Sequence, residues 1–309
     1  MNTEPSPNSP AAAGTATAVA EAPTPPIATD AAVKRRLGIA FWLCIGWIVL
    51  IVLLAVFAKN LPLKDPTKNF TGKGNAGPRQ GPSGEHWFGT DKDARDVFSR
   101  TIYGARISLT VGFVAIAFGM IVGGTLGILA GFFRGWWDRI VSFVFVVLLS
   151  FPALVLAIML TALIDRNLRT VSLVLGVLAV APVGRLARAT TMQFSDREFV
   201  MAARSLGAKN SRIIVRELLP NVVIPMSALA LLGMAVAIVA EGGLAFLGLS
   251  VAKGITWGGL IQLGSDTRSL ENAPWIALFP VAVLFVTVLA LNFAGDRLRS
   301  YFDVKDLAL

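Results

Sequence analysis

Few side chains in this sequence are suited to chemistry, and the most conspicuous is the carboxylate of Glu241. It lies late in a long apolar run and directly precedes two glycines. A charge inside a membrane is costly and often functional. The sequence has one histidine, one cysteine (Cys44), no GxxxxGK[ST] phosphate loop and no convincing pair of carboxylates. These residues argue against a zinc or haem site, an internal disulfide and a nucleotide site in this chain.

The second polar feature is the charged stretch SDREFVMAARSLGAKNSRIIVRELLP at residues 195–220, which lies between two apolar runs. Ser195 and Glu198 fit the capping box S-x-x-E, which predicts a helix from about residue 196. Gly207 is typical of the left-handed residue that follows the end of a helix. The first half of this stretch is therefore expected to form one short helix.

A second short helix is expected after that glycine. Asn210 or Ser211 can cap its start, and Pro220 is expected to end it before the chain re-enters the membrane. Two short helices set at an angle form a compact knob, and such a knob can enter the groove of a partner. A simple connector between two spans fits the pattern equally well.

The elements that must position these residues are long apolar runs. Of the 309 residues 55% are hydrophobic and only 15% are charged, with a mean hydropathy of +0.68, whereas soluble domains are about a quarter charged. Runs long enough to span a bilayer predict an all-α membrane bundle, because a span must satisfy its backbone hydrogen bonds internally. The six predicted spans are 37–58, 107–131, 139–163, 170–190, 222–249 and 276–295.

The rest of the chain is divided by composition and charge. Residues 1–33 are rich in Ala, Pro, Thr and Ser, which predicts a disordered cytoplasmic tail. Three basic residues open the segment 34–58, which is expected to be an uncleaved first transmembrane helix. A transmembrane core is expected over 107–303 and a short tail over 304–309, with both termini in the cytoplasm. The net charge of +9 is scattered among loops, which does not favour nucleic-acid binding.

The stretch 59–106 is expected to be an extracytoplasmic loop that ends in a helix. Val97, Phe98, Ile102 and Tyr103 recur at helical spacing, which suits a helix lying along the membrane interface. An extension of the second span fits the same spacing equally well.

Glycines and prolines mark the spans themselves. Gly119, Gly123, Gly127 and Gly131 recur at every fourth residue, which predicts one helix face that another helix can approach closely. Pro152 and Pro182 are expected to kink the third and fourth spans.

The charged stretch resembles the EAA loop of permease subunits of binding-protein-dependent ABC importers, whose pattern is E-A-A-x3-G-x9-I-x-L-P. Ala202, Ala203, Gly207, Leu219 and Pro220 match it, whereas Met201 and Glu217 replace the Glu and the Ile. The resemblance implies a type I importer fold and a coupling helix that docks on the ATPase. The implied docking residues are Glu198, Met201, Ala202, Ala203, Ser205, Leu206, Gly207 and Ala208, with Leu219 and Pro220 closing the loop.

Other motifs resemble the C-type permease of the dipeptide, oligopeptide and nickel branch. They include HWFGTDKDARDVFSRTIYGARISL, AEGGLAFLGLSV and TWGGLI, and Ala94 stands where the branch has Gly. The resemblance implies a bacterial membrane subunit, without its own ATPase site, that transports di- or oligopeptides, or alternatively nickel chelates or glutathione-like peptides. It implies a paralogous permease, an extracytoplasmic binding protein, and two ATPase subunits that bind ATP and Mg.

Within that resemblance, Glu241 could contact the amino terminus of a peptide or pair with a neighbouring subunit, and we favour the second role. A secondary transporter driven by ions is the rival class. It would be expected to carry more intramembrane ionisable residues than Glu241 alone.

Overall fold

The computed structural model describes residues 38–71 and 77–305, with side chains described up to residue 302. The tail expected over 1–33 and the last four residues lie outside this range. Within it the chain is helical and forms no strand, apart from one isolated bridge between Thr90 and Asp96. The helices are α1 Gly38–Phe57, α2 Val97–Phe118, α3 Gly124–Phe133, α4 Gly135–Ser150, α5 Ala153–Leu163, α6 Leu168–Ser195, α7 Glu198–Ser205, α8 Asn210–Arg212, α9 Leu219–Phe246, α10 Trp257–Leu263, α11 Thr267–Asn272 and α12 Trp275–Lys305.

Two π-helical turns join neighbouring helices into longer ones. The turn Gly119–Gly123 connects α2 to α3, and the turn Ile213–Leu218 connects α8 to α9. Each of the two resulting helices is 37 residues long. Together with α1, α6 and α12, they are the five described helices that are long and apolar enough to cross a membrane.

The pair α4 and α5 supplies the sixth span if it is counted as one broken span, because the two helices meet at an angle of 87°. The chain is extended at Phe151 and Pro152, where the break lies. Proline restricts the preceding residue to extended conformations, so the expected kink at Pro152 is here a complete break. Pro182, by contrast, lies inside the continuous helix α6.

Among the described residues of the 59–106 stretch, no separate helix precedes the second span. Helix α2 begins at Val97 and continues into the span, so the alternative of an extension describes this region. The apolar face read from the sequence contacts protein rather than a membrane surface. Val97 is buried with Ala273 and Ile276, and Ile102 is 5% exposed.

The four spaced glycines place α3 and the preceding turn directly against α6. A Cβ added at Gly119 would lie 2.7 Å from the Cβ of Ala179, and one at Gly131 would lie 2.7 Å from the carbonyl oxygen of Arg188. A Cβ at either of the two intervening glycines would overlap a backbone oxygen of α6. Any larger side chain at these positions would separate the two helices.

The loop between α1 and α2 folds onto the start of α2 through buried polar contacts. Asp96 caps α2 by accepting a 2.7 Å hydrogen bond from the backbone N–H of Ser99, and its other oxygen lies 2.7 Å from Nδ1 of His86. Arg100 lies 3.5 Å from Asp91 and donates to the carbonyl of Pro66 at 3.0 Å. This loop is therefore a packed cap on the bundle.

Candidate functional site

Helix α7 begins later than its capping signal predicts. Ser195 is the last residue of α6 and is buried, and its hydroxyl has no hydrogen-bond partner among the described residues. The residue before α7 is Arg197, which makes no capping hydrogen bond through its side chain. The predicted capping box is therefore wrong. The apolar packing of α6 extends as far as Ser195 and removes it from the start of the next helix.

The end of α7 is the turn that the glycine predicts. Gly207 has a φ of +78°, its N–H donates to the carbonyl of Arg204 at 2.9 Å, and the N–H of Ala208 donates to Ala203 at 3.0 Å. These two bonds form the Schellman motif, which satisfies carbonyls at the end of a helix. Glycine is favoured here because residues with a Cβ rarely adopt this conformation.

The second half of the segment differs from the expected separate helix. The N-cap residue of this helix is Lys209, whose backbone is extended, rather than Asn210 or Ser211. The helix then continues through Pro220 into the apolar run that follows. Proline lacks the N–H needed inside an α-helix, but a π-helical turn, where the regular bonding is already interrupted, ends at Leu218, two residues before Pro220. Leu219 and Pro220 thus lie inside a continuous helix and do not close a loop.

A buried apolar cluster fixes the segment to the bundle. Val200 of α7, Ile213 and Leu218 are fully buried in the same cluster as Phe132 and Phe194, the latter near the end of α6. This cluster holds α7 through one face and leaves its other face exposed.

Charged contacts reinforce this attachment. Arg134 lies 2.6 Å from Asp196, at the junction of α6 and α7. Arg188 of α6 forms a bidentate ion pair with Asp138 of α4, and one of its two hydrogen bonds is 2.7 Å long. The base of α7 is therefore tied to both α4 and α6, and the sequence pattern had not indicated the Arg188–Asp138 pair.

The exposed face of α7 carries large apolar side chains. We define the α7 tip as Met201, Ala202, Ser205, Leu206 and Gly207, all of which are exposed. The Leu206 side chain is 88% exposed and Met201 is 53% exposed. Among the other predicted docking residues, Glu198 is exposed, whereas Ala203 and Ala208 are half-buried. A cluster of exposed apolar groups on a charged segment is typical of a protein-binding surface.

Glu241 lies at the opposite end of α9 and is fully buried. The Ser108 hydroxyl of α2 donates to one of its carboxylate oxygens at 3.3 Å, and the Ser250 hydroxyl donates to the other. Ser108 also accepts from the backbone N–H of Trp257 at 3.0 Å. The carboxylate thus makes these hydrogen bonds within its own chain, and its expected role with a peptide or with a neighbouring subunit stays a prediction.

Comparison with known proteins decides the family. Residues 123–305 match the family model described as "Binding-protein-dependent transport system inner membrane component". The chain belongs to this family.

Curated relatives support a narrower placement within the family. The chain is 40% identical to the dipeptide transport system permease protein DppC of Alkalihalophilus pseudofirmus over 257 residues, 82% of each chain. It is 36% identical to the glutathione transport system permease protein GsiD of Pectobacterium atrosepticum, with 73% of this chain and 75% of the relative covered. The predicted resemblance to the peptide branch of ABC importer permeases is thereby confirmed.

A solved structure supports the fold. A chain of the inward-facing MetNI methionine ABC transporter in its native crystal form matches with a TM-score of 0.53 and 20% identity, over 66% of this chain and 97% of that one. This inner membrane component therefore has the predicted type I permease fold. Within the described residues, no group of three or more His, Cys, Asp or Glu side chains is placed to hold a metal ion.

Proposed function

We propose that the chain is one permease of a heterodimer that transports di- or oligopeptides across the bacterial cell membrane. An extracytoplasmic binding protein delivers the peptide, and two separate subunits bind ATP and Mg and hydrolyse the ATP. The similarity to permeases named for dipeptide and glutathione transport supports a peptide substrate. Glutathione-like peptides are the second candidate substrate, and nickel chelates the third.

The observation that carries this proposal is the α7 tip, an exposed apolar surface on a helix that is held firmly at its base. Because Leu206 is 88% exposed while Val200 is fully buried, the tip can contact a partner without any change in the bundle. We place the tip and both termini in the cytoplasm, where the ATPase subunits bind. The loop between α1 and α2 then faces the binding protein.

One continuous helix can transmit movement of the α7 tip to the part of the bundle inside the membrane. The helix from Asn210 to Phe246 begins three residues after Gly207 and carries Glu241 near its other end. A rigid helix transmits displacement along its axis. Closure of the ATPase subunits on ATP would push the tip and favour one of two bundle states, provided that each ligand binds one state better than the other.

The test compares variants of the complete importer in proteoliposomes. Gly207→Pro cannot adopt a φ of +78° and removes the N–H that donates to Arg204. Leu206→Ser removes the exposed apolar group without touching the core. Val215→Ser, at a position that is 59% exposed but outside the α7 tip, is the matched control. Uptake of labelled dipeptide, with unlabelled glutathione as competitor, and binding of the ATPase subunits are measured.

Both tip variants should assemble with the paralogous permease, lose the ATPase subunits and lose ATP-driven uptake, while Val215→Ser retains both. Unchanged uptake in Gly207→Pro would reduce the segment to a connector and overturn the proposal. Uptake by the chain alone in liposomes, driven by an ion gradient, would support a secondary transporter instead.

A further inference from the structure

A cavity of about 580 Å³ opens between α6, α9 and α12 near the base of α7. Leu186 and Phe194 of α6 and Leu229 and Leu232 of α9 form apolar walls. This cavity is separate from the α7 tip and from the Glu241 contacts. Its occupant would touch both of the helices that flank α7.

The cavity lining also includes basic and polar side chains. Arg197, between α6 and α7, and Arg299, near the end of α12, line it together with the polar side chains of Thr190 and Gln193. None of the lining residues that the structure describes is acidic. Arg197 forms no ion pair with any described residue, whereas Arg134 and Arg188 at the same end of the bundle are paired with Asp196 and Asp138.

We propose that this cavity binds an anionic phospholipid, with its phosphate on the two arginines and an acyl chain along the apolar walls. The planar guanidinium group suits phosphate oxygens because it can donate two parallel hydrogen bonds. Basic pockets between transmembrane helices at a membrane surface bind acidic headgroups. The bound lipid lies between α6 and α9 and stiffens the connection through which α7 acts on the bundle.

The experiment purifies the complete importer from nanodiscs that contain phosphatidylglycerol and phosphatidylcholine, and counts the retained lipids by native mass spectrometry. Arg197→Gln and Arg299→Gln remove the charges singly and together. Leu229→Trp fills the cavity without changing charge. Arg212→Gln removes an exposed arginine that does not line the cavity and is the matched control.

Each cavity arginine should account for about a fivefold loss of retained phosphatidylglycerol. Leu229→Trp should also lower retention, and Arg212→Gln should not. Equal retention in the double variant and the wild type, or an equal loss in Arg212→Gln, would overturn the proposal. Release of the lipid by added dipeptide, with dipeptide retained in its place, would assign the cavity to a substrate carboxylate and overturn the lipid assignment.

Discussion

The chain forms the same turn at two distant places, and the two turns differ in their surroundings. At Gly207 and at Gly248 a left-handed glycine, with φ of +78° and +68°, ends a helix in a Schellman motif. At each site an added Cβ would meet no atom within 4 Å. Local backbone geometry is therefore shared, and any functional difference must come from the residues around each turn.

The turn at Gly248 is anchored on the residues that follow it. Arg166 donates to the Gly248 carbonyl, and Ser250, two residues later, donates to the buried Glu241. The residues that follow Gly207 make no comparable contact with a buried polar group among the described residues, and Leu206 before it is 88% exposed. The comparison teaches that one motif can close a packed corner or leave its neighbours exposed, depending on the contacts of the residues around it.

The turn at Gly248 and the residues packed near it, which we call the anchored end, should be the most sensitive to mutation. Trp257→Ala should have the largest effect. Trp257 is fully buried, and its indole N–H donates to the carbonyl of Thr101 at 2.9 Å. Loss of its contacts should lower the free energy of unfolding by about 3–5 kcal/mol. Trp42→Ala is the control, because Trp42 is 63% exposed. Thermal unfolding of the purified importer measures both, and equal effects would show that the anchored end is not specially packed.

Glu241→Ala should have the next largest effect. It leaves the hydroxyls of Ser108 and Ser250 without their acceptor and opens a cavity, which should cost about 3 kcal/mol in unfolding free energy. Glu241→Gln keeps one acceptor oxygen, and a serine hydroxyl can rotate to accept from the new amide, so we expect a loss of about 1 kcal/mol. Chemical denaturation and peptide uptake are measured together. A folded Glu241→Gln importer without uptake would give the carboxylate a role in transport.

The direct test of the comparison is alanine at each of the two glycines. Gly207→Ala and Gly248→Ala should each cost about 1 kcal/mol, because alanine is strained in the left-handed region and no other clash arises. Only Gly207→Ala should weaken ATPase binding, by about fivefold, since strain of that size lowers the population of the docking turn. Titration of the ATPase subunits onto the permease pair measures this. Equal weakening in both variants would remove the distinction between the two turns.

A feature could be predicted from the sequence where it depends on residues that are close together in the chain, and not where it depends on distant residues. The apolar runs predicted the spans and Gly207 predicted its turn, because both signals depend on residues close in the chain. The predictions from Ser195 and Pro220 were wrong. Ser195 was expected to begin a helix but is buried at the end of α6, and Pro220 was expected to end a helix but follows a π-helical turn that lets the helix continue. The partners of Glu241 could not be predicted, because Ser108 lies 133 residues away.

Two short helices, α10 and α11, could not be predicted from the sequence either. Helices α10 and α11 span seven and six residues, too short for apolar periodicity to stand out. They begin where Thr256 and Asp266 accept hydrogen bonds from the backbone of Gly259 and Ser269. Hydrogen bonding by the Ser269 side chain, and then by its backbone N–H, holds the pKa of the Asp266 carboxyl below its usual range. A capping residue of this kind can be recognised only once the helix that follows it is known.

The smallest expected effect is a gain, at the position where a left-handed residue carries a side chain. Ala94 has a φ of +53°, is fully buried and accepts from the N–H of Phe70 at 2.9 Å. Ala94→Gly should relieve backbone strain that exceeds the entropy cost of glycine, and should stabilise the importer by about 0.5 kcal/mol. Ala105→Gly, at a buried helical site, is the control and should destabilise it. Thermal unfolding measures both. If Ala94→Gly were destabilising, the packing of the Ala94 methyl group would outweigh its strained backbone, and burial rather than φ would decide the residue at this turn.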